Sequence, residues 1–158
     1  MLSMEEIYRA HSLTVYRYLL SQTHDAGLSE ELTQETFYQA IKSVDRFDGS
    51  CKISTWLCAI AKNVLLGERR RHPPTEELDE SAATIVSTEE KALAKAGETE
   101  LLRKLHLMNG EMREVMYLRL LGGASFREIG DILGKTENWA RVTCHRARIR
   151  LQERMDQS

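Results

Sequence analysis

A chain of 158 residues, 42% apolar and 29% charged, suits one or two small helical domains and is too short for a large enzyme scaffold. Its 22 basic and 24 acidic residues leave a net charge of -2, which taken whole argues against a protein that coats nucleic acid through bulk positive charge. No apolar run reaches the ~18 to 20 residues that span a bilayer, and the N-terminus MLSMEEIYRAH lacks a basic region followed by an apolar core, so a cytoplasmic protein without membrane insertion is expected.

Charge is unevenly spread. It is -4 over 1–41, +4 over 42–72, -6 over 73–100, +1 over 101–134 and +3 over 135–158, so two basic segments flank an acidic one. Apolar residues recur at helical spacing and never alternate for long, which makes the fold class all-α. In chain order, segment 29–45 places Thr33, Phe37, Ala40, Ile41 and Val44 on one side for burial. Glu31, Gln34, Glu35, Tyr38 and Lys42 lie on the other, which on the wheel alone reads as a solvated face.

The glycine-containing loop DRFDGSCK follows, carrying Phe47. An aromatic there fits either of two roles: stacking a displaced base, worth ~1 to 3 kcal/mol, or plugging an apolar gap. The next helix buries Ile53, Leu57, Ile60 and Val64 along a stripe with Trp56 at its edge. Opposite lie Lys52, Thr55, Ala59, Lys62, Asn63 and Arg70, and the helix ends in Arg69-Arg70-Arg71. Small, polar and basic residues on one face suit a helix lying against phosphates while offering hydrogen-bonding groups to bases. Last-turn cations complementing the helix dipole would explain the arginines but not Lys52, Lys62 and Asn63.

Pro73-Pro74 ends that helix, and TEELDESAATIVSTEE has the polar, acidic composition of a linker. Two small helical domains are therefore expected, 1–72 and 98–158, joined by a flexible linker over 73–97. In the second, Ser125 and Glu128 form a capping-box pattern, Gly134 ends a short helix and Thr136 can cap the next, which together make a helix-turn-helix pattern. On the last helix Ala140, Cys144, Ala147 and Leu151 share the buried stripe, while Trp139, Val142 and Arg146 point outward between Arg141, His145 and Arg148. An apolar contact to a thymine methyl and a bidentate arginine on guanine would use such residues. The three cysteines form no CxxC, and Cys51, Cys58 and His72 fit no common zinc spacing, so no metal or cofactor is expected. There is no Walker loop, HExxH or carboxylate cluster beside a base, which speaks against an enzyme.

Three stretches in order resemble the extracytoplasmic-function (ECF) sigma factors, the sigma-70 class that retains regions 2 and 4 only. LSEELTQETFYQAIKSVDRFDG and ISTWLCAIAKNVLLGERRR resemble region 2, and REVMYLRLLGGASFREIGDILGKTENWARVTCHRARIRL resembles region 4. The resemblance implies a subunit that binds core RNA polymerase and directs promoter-specific initiation. By the same resemblance, Glu31, Gln34, Glu35 and Tyr38 would dock on the clamp helices of the largest subunit, and the second domain on the flap of the second subunit. Phe47, Lys52, Thr55, Trp56, Lys62, Asn63, Arg69 and Arg70 would capture, read and melt the minus-10 element. Asn138, Trp139, Arg141, Val142, Thr143, His145, Arg146 and Arg148 would read the minus-35 element in the major groove. An anti-sigma factor, often membrane-bound in the family, would restrain the protein. The competing reading from the residues is a stand-alone helix-turn-helix regulator, which predicts a palindromic site and a stable dimer. The chain departs from the family's pattern at Arg141-Val142-Thr143, where many members read Lys-Ser-Arg, and at Met108-Asn109-Gly110, where Leu-Pro is usual.

Overall fold

The computed structural model describes residues 3–73 and 96–156. Among these, every regular element is helical: α1 (Met4–Thr23), α2 (Ala26–Ser43), a 3-10 turn (Val44–Arg46), α3 (Ile53–Arg71), α4 (Ala96–His106), α5 (Gly110–Leu120), α6 (Phe126–Leu133) and α7 (Glu137–Asp156). The acidic linker expected over 73–97 falls almost wholly outside the described residues, and α4 already begins at Ala96.

Local chemistry sets most of the helix ends. Ser3 and Glu6 exchange side-chain and backbone hydrogen bonds in a capping box, as do Ser125 and Glu128 at the start of α6. Asp25 caps α2 by accepting from the Leu28 amide at 3.0 Å, and Asn109 caps α5 by accepting from Met112 at 3.0 Å. Asn109 thus starts α5 without the Leu-Pro usual in the family. Gly134 ends α6 in the left-handed region at φ 69°, and Thr136 accepts from the Trp139 amide at 3.0 Å to open α7. The helix-turn-helix expected from these four residues is present.

α1, α2 and α3 form an antiparallel three-helix bundle around Val15, Tyr18, Leu19, Leu32, Phe37, Ala40, Leu57, Ala61 and Leu65. Thr33 and Thr36, buried in this bundle, return their hydroxyl protons to carbonyls one turn back, so neither hydroxyl is stranded. In the second half α4, α5 and α6 close around α7 through Leu102, Leu105, Val115, Leu118, Ile129, Ala140, Cys144 and Ala147. Burial pushes the Cys144 thiol up, consistent with its role as a small core residue.

The two halves also rest on each other. α1 meets α5, and α3 meets α6 and the turn before it, so the buried apolar residues form one continuous cluster. Two expectations about burial are revised. On α3 the fully covered residues are Leu57, Cys58, Ala61 and Leu65 together with Thr55 and Lys62, while Ile53, Ile60 and Val64 are only half-buried. A one-sided stripe was the wrong template because α3 is covered on two sides, by its own bundle and by the second half. On α2, Ile41 is 55% exposed, since it lies about 100° around the helix from Ala40 and beyond the reach of α1 and α3.

Candidate nucleic-acid interface

The outward face of α7 carries the strongest concentration of exposed cations. Asn138, Arg141, Val142, His145, Arg146 and Arg148 are all exposed along it, held in place by the Ala140, Cys144 and Ala147 stripe beneath. Arg141 pairs with Glu137 one turn back at 3.1 Å, and its guanidinium also lies 5.5 Å from the Phe126 ring, which fixes it toward α6. Trp139 is half-buried rather than free, with the Lys135 ammonium 5.5 Å from its ring. Thr143 is only 9% exposed, but it lines the groove between α5 and α7. Between α5 and α7 runs a groove of about 350 Å³ with Asn109, Met112, Asn138, Trp139, Val142 and Arg146 on its walls. A groove with apolar, amide and guanidinium groups in one row can offer both methyl contact and directed hydrogen bonds.

On α2, Glu31, Gln34 and Glu35 are exposed and Tyr38 is 53% exposed, as the wheel required. The Lys42 ammonium lies 4.4 Å from the Tyr38 ring, and Gln39 donates to the Glu35 carboxylate at 2.8 Å. A groove of about 380 Å³ between α2 and α3 brings Glu35 and Gln39 opposite Asn63, Arg70 and Arg71. Gln39 and Arg71 were not singled out from the sequence as site residues, and they complete the two walls.

The residues expected at the minus-10 element separate into two sets. Asn63 and Arg70 are exposed in the groove, while Arg69 is half-buried and donates to the Gln22 carbonyl at 3.3 Å. Phe47 is not a free loop aromatic: its ring sits 4.9 Å from that of Trp56 at 33°, so the two cover each other at the start of α3. Lys52 is exposed and leans over Gly123 of the second half, where an added Cβ would come within 3.0 Å of its Cδ.

Thr55 and Lys62 depart furthest from expectation. Ser54 and Thr55 both donate their hydroxyl protons to the Gly122 carbonyl at 2.8 Å. Lys62 Nζ lies 2.9 Å from Glu114 Oε2, and the Tyr18 hydroxyl donates to the same oxygen at 2.6 Å. Both ion-pair side chains are 11% exposed. Burial, with the Glu114 carboxylate adding to it, pushes the Tyr18 hydroxyl well above its ordinary value, so it remains a donor. In this conformation neither Thr55 nor Lys62 faces solvent, because the second half lies over them. The burial of Glu114 was missed, although a carboxylate directly before the apolar run Val115-Met116-Tyr117-Leu118 is a candidate for a buried pair.

Among the described residues no three His, Cys, Asp or Glu side chains converge on a point that could hold a metal ion, and no helix is long and apolar enough to cross a membrane.

Comparison with known proteins identifies the family. Residues 7–73 match Sigma-70 region 2. Along 99% of its length the chain is 30% identical to RNA polymerase sigma factor YlaC of Bacillus subtilis (strain 168), covering 94% of that protein. It is 31% identical to ECF RNA polymerase sigma factor SigM of the same organism, over 96% of this chain and 94% of that one. The fold is similar to that of the sigma factor RpoE in its complex with the anti-sigma factor NepR from Bartonella quintana, with a TM-score of 0.68 and 17% identity over 96% of each chain. It is also similar to CnrH in complex with the cytosolic domain of CnrY, with a TM-score of 0.60 and 20% identity over 98% of this chain and 88% of that one. With region 2 matched in the first half and sigma-factor relatives aligned across nearly all of both, the chain belongs to the ECF RNA polymerase sigma factors.

Proposed function

We propose that this sigma factor works as a non-enzymatic specificity subunit, with its contacts divided among three surfaces. The outward face of α2, through Glu31, Gln34, Glu35 and Tyr38, docks on the clamp helices of the largest polymerase subunit, and the second half docks on the flap of the second subunit. The loop around Phe47 and the N-terminal two-thirds of α3, with Lys52, Thr55, Trp56, Lys62 and Asn63, take the minus-10 element, with Arg69 and Arg70 behind them. The face of α7 takes the minus-35 element. The observation that carries this reading is the run of exposed Asn138, Arg141, Val142, His145, Arg146 and Arg148 on the second helix of a helix-turn-helix, in a chain whose full-length relatives are sigma factors.

Each basic face is small, so the affinity of the free protein for DNA is weak and falls steeply with salt. Tethering both halves to polymerase converts two weak contacts into one specific one by raising effective concentration. Capture of unstacked bases then offsets the few kcal/mol that each unstacked step costs (~1 to 3 kcal/mol returned per stacked base). The fold neighbours in complexes, RpoE with the anti-sigma factor NepR and CnrH with the cytosolic domain of CnrY, support an anti-sigma partner for this chain too, membrane-bound or free, acting on a cytoplasmic sigma factor.

Reconstitution with core RNA polymerase and transcription from a genomic fragment library tests the reading. Run-off products that depend on this protein are expected. Their absence, together with tight binding of a palindromic site by the protein alone, would replace it with a stand-alone helix-turn-helix regulator.

A further inference from the structure

We propose that the free protein is latched shut by its own promoter-melting face, with Glu114 occupying on Lys62 the place of a nucleic-acid phosphate. The proposal rests on the assignment of α3 to promoter DNA made above.

Four hydrogen bonds carry the contact. Glu114 Oε2 accepts from Lys62 Nζ at 2.9 Å and from the Tyr18 hydroxyl at 2.6 Å, tying α5 to α3 and α1 at once. About two turns earlier on α3, the Ser54 and Thr55 hydroxyls converge on the single Gly122 carbonyl, both at 2.8 Å. Lys62, Thr55 and Ser54 are donors of the class that grips phosphate and sugar oxygens. All three are spent on acceptors from the second half, and the lead acceptor is an anionic oxygen, which offers Lys62 the same charge-assisted geometry as a phosphate. DNA and Glu114 therefore compete for one ammonium group.

A buried ion pair is a poor glue. Both partners lose their hydration on closing, and a well-packed apolar pair in their place is often as stable or more so. What such a pair does supply is register and reversibility: it closes in one geometry only, and its groups regain water as soon as the halves part. The other polar contacts between the halves have the same character, since the hydroxyl-to-carbonyl bonds to Gly122 can be exchanged for bonds to water. Opening releases Lys62, Thr55 and Ser54 together, so a ligand that captures them shifts the whole equilibrium. If the latch is closed nine parts in ten, apparent affinity for DNA falls about tenfold.

The test uses the full-length protein without polymerase. Small-angle X-ray scattering reads whether the halves are together, a low-salt fluorescence-anisotropy titration with promoter-length duplex reads DNA binding, and run-off transcription with core polymerase reads function. Glu114→Gln should expand the particle and raise polymerase-independent DNA affinity about three- to tenfold while leaving polymerase-dependent transcription intact. Glu153→Gln, which removes the same charge from an exposed position of the same half, should do neither. The double change Ser54→Ala with Thr55→Val opens the same contact without altering charge, and expansion in scattering with helicity retained by circular dichroism supports the latch by a second route. A wild-type protein already extended in solution, or a Glu114→Gln protein as compact and as weakly binding as wild type, overturns the proposal. The two readings fail separately. A protein that opens as described but supports no polymerase-dependent transcript retains the latch and loses the sigma-factor assignments, and one that transcribes but never closes does the reverse.

Discussion

Arg113 donates through Nη2 to His24 Nε2 at 3.2 Å, which fixes the imidazole as an acceptor and therefore as neutral. The same guanidinium donates to the carbonyls of His106 and Met108, at 3.2 and 3.0 Å, so it links the turn after α1 to the turn before α5. His106 faces the cluster from α4, with the Tyr117 hydroxyl 3.4 Å from its Nε2 and the His24 ring centroid 6.2 Å away. Burial, then Arg113 and His24, holds His106 down at about 4, and burial followed by Arg113 lowers His24.

A base held below its ordinary value binds fewer protons folded than unfolded. The stability it contributes is complete above 6.5, the ordinary value, and is lost as pH falls from there toward about 4. His106 alone sets a slope of up to ~1.4 kcal/mol per pH unit in that window. Urea midpoints should therefore drop between pH 7.5 and 5, and His106→Gln should flatten the slope. Equal midpoints for wild type across that range would remove the account.

Arg146 and Arg148 are both exposed on α7, but only Arg146 lines the α5–α7 groove. Arg146→Ala is expected to cost ~1 to 3 kcal/mol at one promoter position and little elsewhere. Arg148→Ala should weaken binding evenly and reduce the salt slope by about one. Footprinting over a panel of point-mutant promoters separates the two, and identical profiles for both variants would end the distinction.

Gly130 sits where α6 crosses the start of α7. A Cβ there would come within 2.8 Å of the Lys135 carbonyl oxygen and 3.0 Å of the Thr136 backbone, and backbone cannot swing aside as a side chain can. The Lys135 amide also donates to the Gly130 carbonyl at 2.8 Å, so the turn has no slack. Gly130→Ala should cost ~1 to 3 kcal/mol, as overpacking does. It should also tilt α7 and lower minus-35 affinity, while Gly27→Ala, whose Cβ would meet nothing nearer than Asp25 Oδ1 at 3.6 Å, lowers neither; thermal melts and promoter binding measured together report this.

Phe47 and Trp56 screen each other, and such a pair contributes ~0.5 to 1.5 kcal/mol beyond its buried area. Phe47→Ala should therefore cost the folded protein at least ~1 kcal/mol in chemical denaturation, since the burial of the ring is lost along with the pair. Permanganate footprinting of the promoter should show a larger loss in strand opening than in closed binding, because a stacking platform acts once the base has left the duplex. Equal losses in both steps would make Phe47 a structural plug alone.

What could be read from the sequence was local. Ser125, Glu128, Gly134 and Thr136 announce a helix-turn-helix because each acts on a backbone group within a few residues of itself. The outward face of α2 followed from a single periodicity for the same reason. The burial of Lys62 could not be read from the sequence because its partner lies 52 residues away on another helix, and a wheel carries no information about a neighbour that distant. Phe47 carried two readings until the loop's path laid it on Trp56, a contact set by the turn between the 3-10 segment and α3 and not by spacing.

The groove between α2 and α3 has a thermodynamic corollary. Its one wall carries Glu35, assigned to polymerase, beside Gln39, and the other carries Asn63 and Arg70, assigned to DNA. Ligands that meet across so narrow a space are linked: whatever factor polymerase applies to promoter affinity through this groove, the promoter must apply to polymerase affinity in return. The equilibrium affinity of core polymerase for its sigma subunit should then be higher on a promoter than off it, by the same ratio that promoter affinity gains from polymerase.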